Sequence, residues 1–218
     1  MTVAECYQYV QNRLNKSQSN FSDNIEKYQF VEAFNTAQLL WTESRFKVDE
    51  TSIARIDEIQ HLITTVNLKP KKTGSNYYEV AFPENYLHYK RSVSFVPCEI
   101  KNHLKKEGDI NVLLAHEFWR PSVEWEETIC TIAGDKLRIY VTDFSIKSVE
   151  LHYYRVPRKI NMNDGFNDIN ANQTENIDPE FKNSSLLEIL NFTCQILASD
   201  STDQWNYQTL LNLNQSHT

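Results

Sequence analysis

Six histidines, four cysteines and several acidic clusters are the groups from which this chain could build catalytic or metal chemistry. The histidines are His61, His88, His103, His116, His152 and His217, and none is paired at metal-ligand spacing. His116-Glu117 begins like the zinc-binding helix of a metalloprotease, but Arg120 stands where the second histidine belongs. Cys6, Cys98, Cys130 and Cys194 are far apart and form no Cys-x-x-Cys pair. They read as small buried residues in a reducing compartment, not as a disulfide framework or a tetrahedral metal site. The oxygen-rich run Asn161 to Asp168 invites a calcium reading. With Gly165 as the sixth position of such a loop, Ile160 and Ala171 fall where the first and last ligands should be, and neither can serve.

Nucleophilic catalysis has no local signature either. There is no Gly-x-Ser-x-Gly elbow, and four glycines in the whole chain leave no glycine-rich loop to cradle a phosphate. Glu124, Glu126 and Glu127 lie next to an expected strand, where neighbours alternate faces and read as solvated. The expectation is a non-catalytic protein with no catalytic, cofactor-binding or metal-binding residues and no cofactor. A small hydrolase with a site assembled from distant residues stays as an alternative.

Composition narrows the partners. The net charge is −7 and the basic clusters (Lys69 to Lys72, Lys105-Lys106, Arg155 to Lys159) are short, which argues against a general nucleic-acid binder. No stretch approaches the ~20 apolar residues of a membrane span. Met1 to Glu5 has neither a basic segment nor an apolar run, so no secretory leader is expected. Aromatic residues make up 12% of the chain, and Tyr and Trp suit surfaces that become buried against a partner.

Four regions must position these groups: a helical region at 1–63, a β-rich region at 64–160, a polar loop at 161–178 and a second helical region at 179–218. Together they read as one domain with extensions. Thr2 with Glu5 is a capping-box pattern ahead of Val3, Cys6, Tyr7, Val10 and Leu14 at helical spacing. A second helix, capped at Ser22 or Asp23, places Ile25, Tyr28, Val31, Phe34, Leu40 and Trp41 on its buried face. A third starts near Glu50 or Thr51 and carries Ile53, Ile56, Ile59 and Ile63. From Thr64 the period becomes two. Strands are expected at Tyr78 to Phe82, at Ser92 to Ile100 and in a hairpin of Ile129 to Ala133 and Leu137 to Val141 about Gly134-Asp135. Val149 to Arg155 extends that hairpin as a meander. One helical turn is expected at Pro83 to Leu87, and a short helix from Asp109 to Phe118. Asp178-Pro179-Glu180 reads as the start of a C-terminal helix with Leu186, Leu187, Leu190, Thr193, Cys194 and Leu197 on its apolar face. The expected fold class is α+β, with N-terminal helices and a C-terminal helix packed around or flanking a central antiparallel sheet.

Three stretches in order carry a resemblance. They are Trp41 to Phe46 running into Ile53 to Ile59, then Phe82 to Tyr89, then Arg120 to Trp125 followed by Ile139-Tyr140 and Val149 to Lys159. Together they resemble virion proteins of tailed bacteriophages of the crAss-like, Bacteroides-infecting type. The resemblance implies a head-to-tail adaptor, a dodecameric ring in the neck or tail of the virion, assembled in the host cytoplasm. Its implied partners are further copies of itself, the portal protein and neighbouring neck or tail ring proteins, with DNA passing through and no membrane involved. An acidic bore would let that DNA slide. The tyrosine- and tryptophan-rich sheet supports a rival reading, a carbohydrate- or receptor-binding module, which requires an exposed aromatic platform.

Overall fold

The computed structural model describes residues 1–17, 25–46, 57–162 and 175–200. Among them are four helices: α1 (Val3–Ser17), α2 (Lys27–Phe46), α3 (Ile110–Ala115) and α4 (Asn183–Asp200). Eight strands lie between: β1 (Ile63–Leu68), β2 (Lys71–Lys72), β3 (Tyr77–Ala81), β4 (Tyr86–Phe95), β5 (Glu99–Leu104), β6 (Glu127–Ala133), β7 (Lys136–Tyr140) and β8 (Ser148–Arg155). The fold is α+β. The chain divides into two compact units, one formed by Met1–His61 with Pro157–Thr218 and the other by Leu62–Val156.

In the first unit, α1 opens with the expected capping box. Thr2 N–H donates to Glu5 Oε2 at 2.8 Å, and Glu5 N–H donates back to Thr2 Oγ1 at 3.3 Å. Val3, Cys6, Val10 and Leu14 are buried along one face. On α2 the buried face is Phe30, Ala33, Phe34, Ala37, Gln38, Trp41 and Thr42, while Tyr28 and Leu40 are exposed. The expected face is therefore rotated toward Phe30, Ala33 and Ala37, and the two small alanines are residues that a rule based on large side chains passes over. Phe30, Phe34 and Trp41 are all fully buried. Trp41 packs edge-on against Phe181 at 5.3 Å and donates its indole N–H to Glu188 at 2.9 Å. On α4, Leu186, Ile189, Leu190, Thr193 and Cys194 are buried, but Leu187 faces outward.

The returning segment is tied to α2 by side-chain amides. Asn35 Oδ1 accepts the Ile160 N–H and its Nδ2 donates to the Ile160 carbonyl, while Gln38 Nε2 donates to the Arg158 carbonyl. Asn161 and Ile177 exchange backbone hydrogen bonds across the base of the polar loop. The Asp178-Pro179-Glu180 start signal is corrected: α4 begins at Asn183, and Asp178 instead receives the Val3 N–H of α1. Glu180 accepts the Arg158 N–H. The expected caps Ser22 and Asp23, the first half of the third helix up to residue 56 and most of the 161–178 loop lie outside the described residues. Ile63, assigned to that third helix, opens β1.

The second unit is built on one curled sheet in the order β1-β8-β4-β5-β6-β7-β3-β2. All pairings are antiparallel except β5 with β6, which run parallel. The expected hairpin forms from β6 and β7, with Ala133 opposite Lys136 and Gly134 at φ 61°, a conformation that glycine adopts without a Cβ clash. The expected meander does not form. β8 pairs with β1 and β4 instead of following β7, and its Val149, Leu151 and Tyr153 are buried in the core on one face of the sheet. One cluster gathers Tyr78 and Val80 of β3, Leu137 and Ile139 of β7, and Val149, Leu151 and Tyr153 of β8. Strands so far apart in the hydrogen-bonded order share a core only because the sheet curls. On the other face, Ile110 of α3 packs with Ile129 and Tyr140.

Two smaller expectations are also corrected. Pro83 to Tyr86 is a β-turn closed by Tyr86 N–H to the Pro83 carbonyl at 3.0 Å. The strand expected at Ser92 to Ile100 is two strands, because Pro97 sits in the turn between β4 and β5.

An aromatic groove as candidate functional site

The parallel β5–β6 pair needs a crossover, and the segment from Lys105 to Glu126 supplies it. It first forms a single 3-10 turn at Glu107–Asp109, which leaves Asp109 in a helical conformation with no side-chain cap to α3. α3 then stops at His116, whose backbone is extended at φ −86°, ψ 126°. The expected helix to Phe118 is thus cut short. Beyond it, the amides of Trp119 and Arg120 both donate to the His116 carbonyl at 3.2 Å, and Phe118 N–H donates to His116 Nδ1 at 3.3 Å. This tight turn turns Phe118 out until it is 85% exposed, with Trp119 58% exposed beside it.

A second tight turn follows. Ser122 and Glu127 exchange backbone hydrogen bonds at 3.0 and 3.2 Å, and Glu126 N–H donates to the Val123 carbonyl. Glu126 closes this turn at φ 53°, the one non-glycine residue with positive φ among the described residues. Thr142 Oγ1 donates to the Pro121 carbonyl at 3.0 Å and pins the turn from behind. At its tip Trp125 is 77% exposed.

Between the two turns lies an open groove of about 780 Å³. Phe118, Trp119 and Trp125 line it, and Leu113, Thr128 and Ile129 contribute to its lining from α3 and β6. Polar groups complete it. His103 Nε2 lies 3.4 Å from Glu127 Oε1, and the Lys105 ammonium sits 5.8 Å from the Trp119 ring centroid. Glu117, Arg120 and Glu124 also face it. The groove can stack an apolar face on an exposed aromatic ring while offering both donors and acceptors in its lining.

The groups weighed from the sequence fall elsewhere or play other parts. His116 shapes a turn, and Arg120, four residues on, shares its carbonyl. His152 contacts Glu150 at 2.7 Å and Thr65 at 2.9 Å, and His61 packs edge-on against Phe181 at 5.1 Å. Desolvation lowers the pKa of His88. Burial pushes the thiols of Cys6 and Cys130 up to about 11 and that of Cys194 to about 12, which keeps them protonated near neutrality. Among the described residues no three His, Cys, Asp or Glu side chains gather as a metal site, and Asn163 to Ala171 lie outside them. Glu124, Glu126 and Glu127 are exposed, but the first two belong to the tight turn and not to a strand face. The aromatic groove escaped the sequence reading because Phe118 was assigned to a helix and nothing marks Glu126 for a left-handed conformation. Asp109 with Trp119, Pro121 and Trp125 within one short segment was the available signal. No family model matches this chain, and no curated protein matches it in sequence.

Proposed function

We propose that this chain is a non-catalytic structural subunit of a tailed-phage virion, forming a ring, dodecameric by resemblance, that joins the portal to the tail and lets DNA pass. The three resembling stretches support this reading, and one structural observation carries it. The two edges of the sheet are built differently. At one end β2 is two residues long and both are lysines, a pattern that blocks further strand pairing. At the other end β1 is six residues, Ile-Thr-Thr-Val-Asn-Leu, with no charge and no proline. Its register with β8 runs without a bulge from Ile63↔Tyr154 to Leu68↔Val149. Among the described residues, no backbone hydrogen bond is made on its outer side. Such an edge accepts a strand from another chain, and a contact between unlike surfaces closes into a ring when the rotation permits.

The test is native mass spectrometry with negative-stain imaging of the purified chain, alone and with its cognate portal protein. A ring, or a complex with the portal, is expected. The exposed edge position Asn67 changed to Lys should abolish assembly while leaving the melting temperature within about 2 °C, as for ordinary surface substitutions. A strictly monomeric parent that ignores the portal overturns the reading.

A further inference from the structure

We propose that the groove between Phe118, Trp119 and Trp125 is a binding site for a neutral oligosaccharide, a role beyond the structural one proposed above. Four features select that ligand class. The first is rigidity: Trp125 is presented at the tip of a turn held by the Ser122–Glu127 hydrogen bonds and by Thr142. Glu126 stands at φ 53° there, a strained conformation for a non-glycine residue that persists only where its surroundings enforce it. The second is exposure. Three large aromatic side chains leave most of their surface in water around one concavity, whereas isolated exposed apolar residues are the usual pattern.

The third is charge. Lys105 and Arg120 are offset by Glu117, Glu124 and Glu127, so the groove has no excess positive charge to hold a phosphate backbone or an acidic ligand. The fourth is the mixture of linings. Purely aliphatic ligands would cover Glu117, Glu124 and Arg120 without offering them a hydrogen bond, at a cost in desolvation. A pyranose ring satisfies both sides: its C–H face stacks on an indole or phenyl ring, and its hydroxyls both donate and accept. The volume of about 780 Å³ falls within the range of small-molecule sites and admits a few sugar rings.

The experiment titrates the full chain with neutral gluco-, manno-, galacto- and N-acetylglucosamine hexasaccharides. Binding is followed by indole fluorescence and by saturation-transfer NMR. At least one hexasaccharide should bind, and Trp125→Ala and Phe118→Ala should each weaken it about tenfold or more, with the melting temperature unchanged. Asn67→Lys, on the β1 edge, should bind it as the parent does. The proposal is overturned if no hexasaccharide binds at millimolar concentration, or if Trp125→Ala binds as well as the parent. It is equally overturned if Trp125→Ala changes the native mass and no sugar binds, since the groove is then a protein contact. A strictly monomeric chain that ignores the portal but binds sugar sinks the ring reading alone, and a ring that binds none sinks this one alone.

Discussion

Asp178 and Val3, 175 positions apart, are joined by a 2.7 Å hydrogen bond from the Val3 amide to the Asp178 carboxylate. The first turn of α1 is thus satisfied twice, locally by Thr2 and Glu5 and at long range by Asp178. A carboxylate there also complements the positive end of the helix.

Asp178→Ala should therefore cost about 1 kcal/mol, a cap's usual worth, and lower the melting temperature by ~3 °C. Circular dichroism melts of both proteins at neutral pH measure this. An unchanged melt would mean that water replaces the carboxylate at no cost.

In the sheet unit, Asn102 bridges two buried serines. Ser94 Oγ donates to Asn102 Oδ1 and Asn102 Nδ2 donates to Ser92 Oγ, both at 2.8 Å. Asn102→Ala leaves the buried Ser94 hydroxyl without its acceptor, while Ser92 keeps its bond with the Tyr89 hydroxyl at 3.0 Å, and should destabilise the protein by about 2 kcal/mol. Chemical denaturation checks this, and Asn102→Ala combined with Ser94→Ala should recover part of the loss, because the orphaned hydroxyl is then gone.

Alkaline pH should unfold the protein earlier than its charged surface alone would dictate. The thiols of Cys6, Cys130 and Cys194 bind their protons more tightly folded than unfolded, because burial disfavours the thiolate. Their folded pKa values, about 11 to 12, stand above the ordinary 9.0. Their contribution is complete below pH ~9 and declines as pH rises through 11 to 12. Burial raises the Tyr89 phenol in the same direction. Melting temperatures at pH 7, 9 and 10.5 should fall most over the last step, and Cys194→Ala should shallow that fall.

Local signals in the sequence translated well. The Thr2–Glu5 capping box and the Gly134-Asp135 hairpin each close on residues a few positions away, and each forms as read. What failed was non-local. Asp178-Pro179-Glu180 has the composition of a helix start, yet its acids serve α1 and Arg158. Nothing along the chain states that β8 joins β1 and β4, because that choice follows from which faces the curled core buries. The aromatic groove was hidden for a related reason: its two turns rest on backbone bonds at His116 and Ser122 and on a strained Glu126, none of which has a residue-type signature.

The parallel pairing of β5 with β6 has a further bearing on how this protein can change over generations. Such a pairing obliges the chain to leave one end of the sheet and re-enter at the other, and about a dozen residues suffice. Here roughly twenty separate Leu104 from Glu127, and both aromatic turns fall within that span. The excess is anchored at both ends to strands that are paired through their own backbone hydrogen bonds. Residues 116–126 can thus be rewritten to suit a new contact while the scaffold beneath keeps its register.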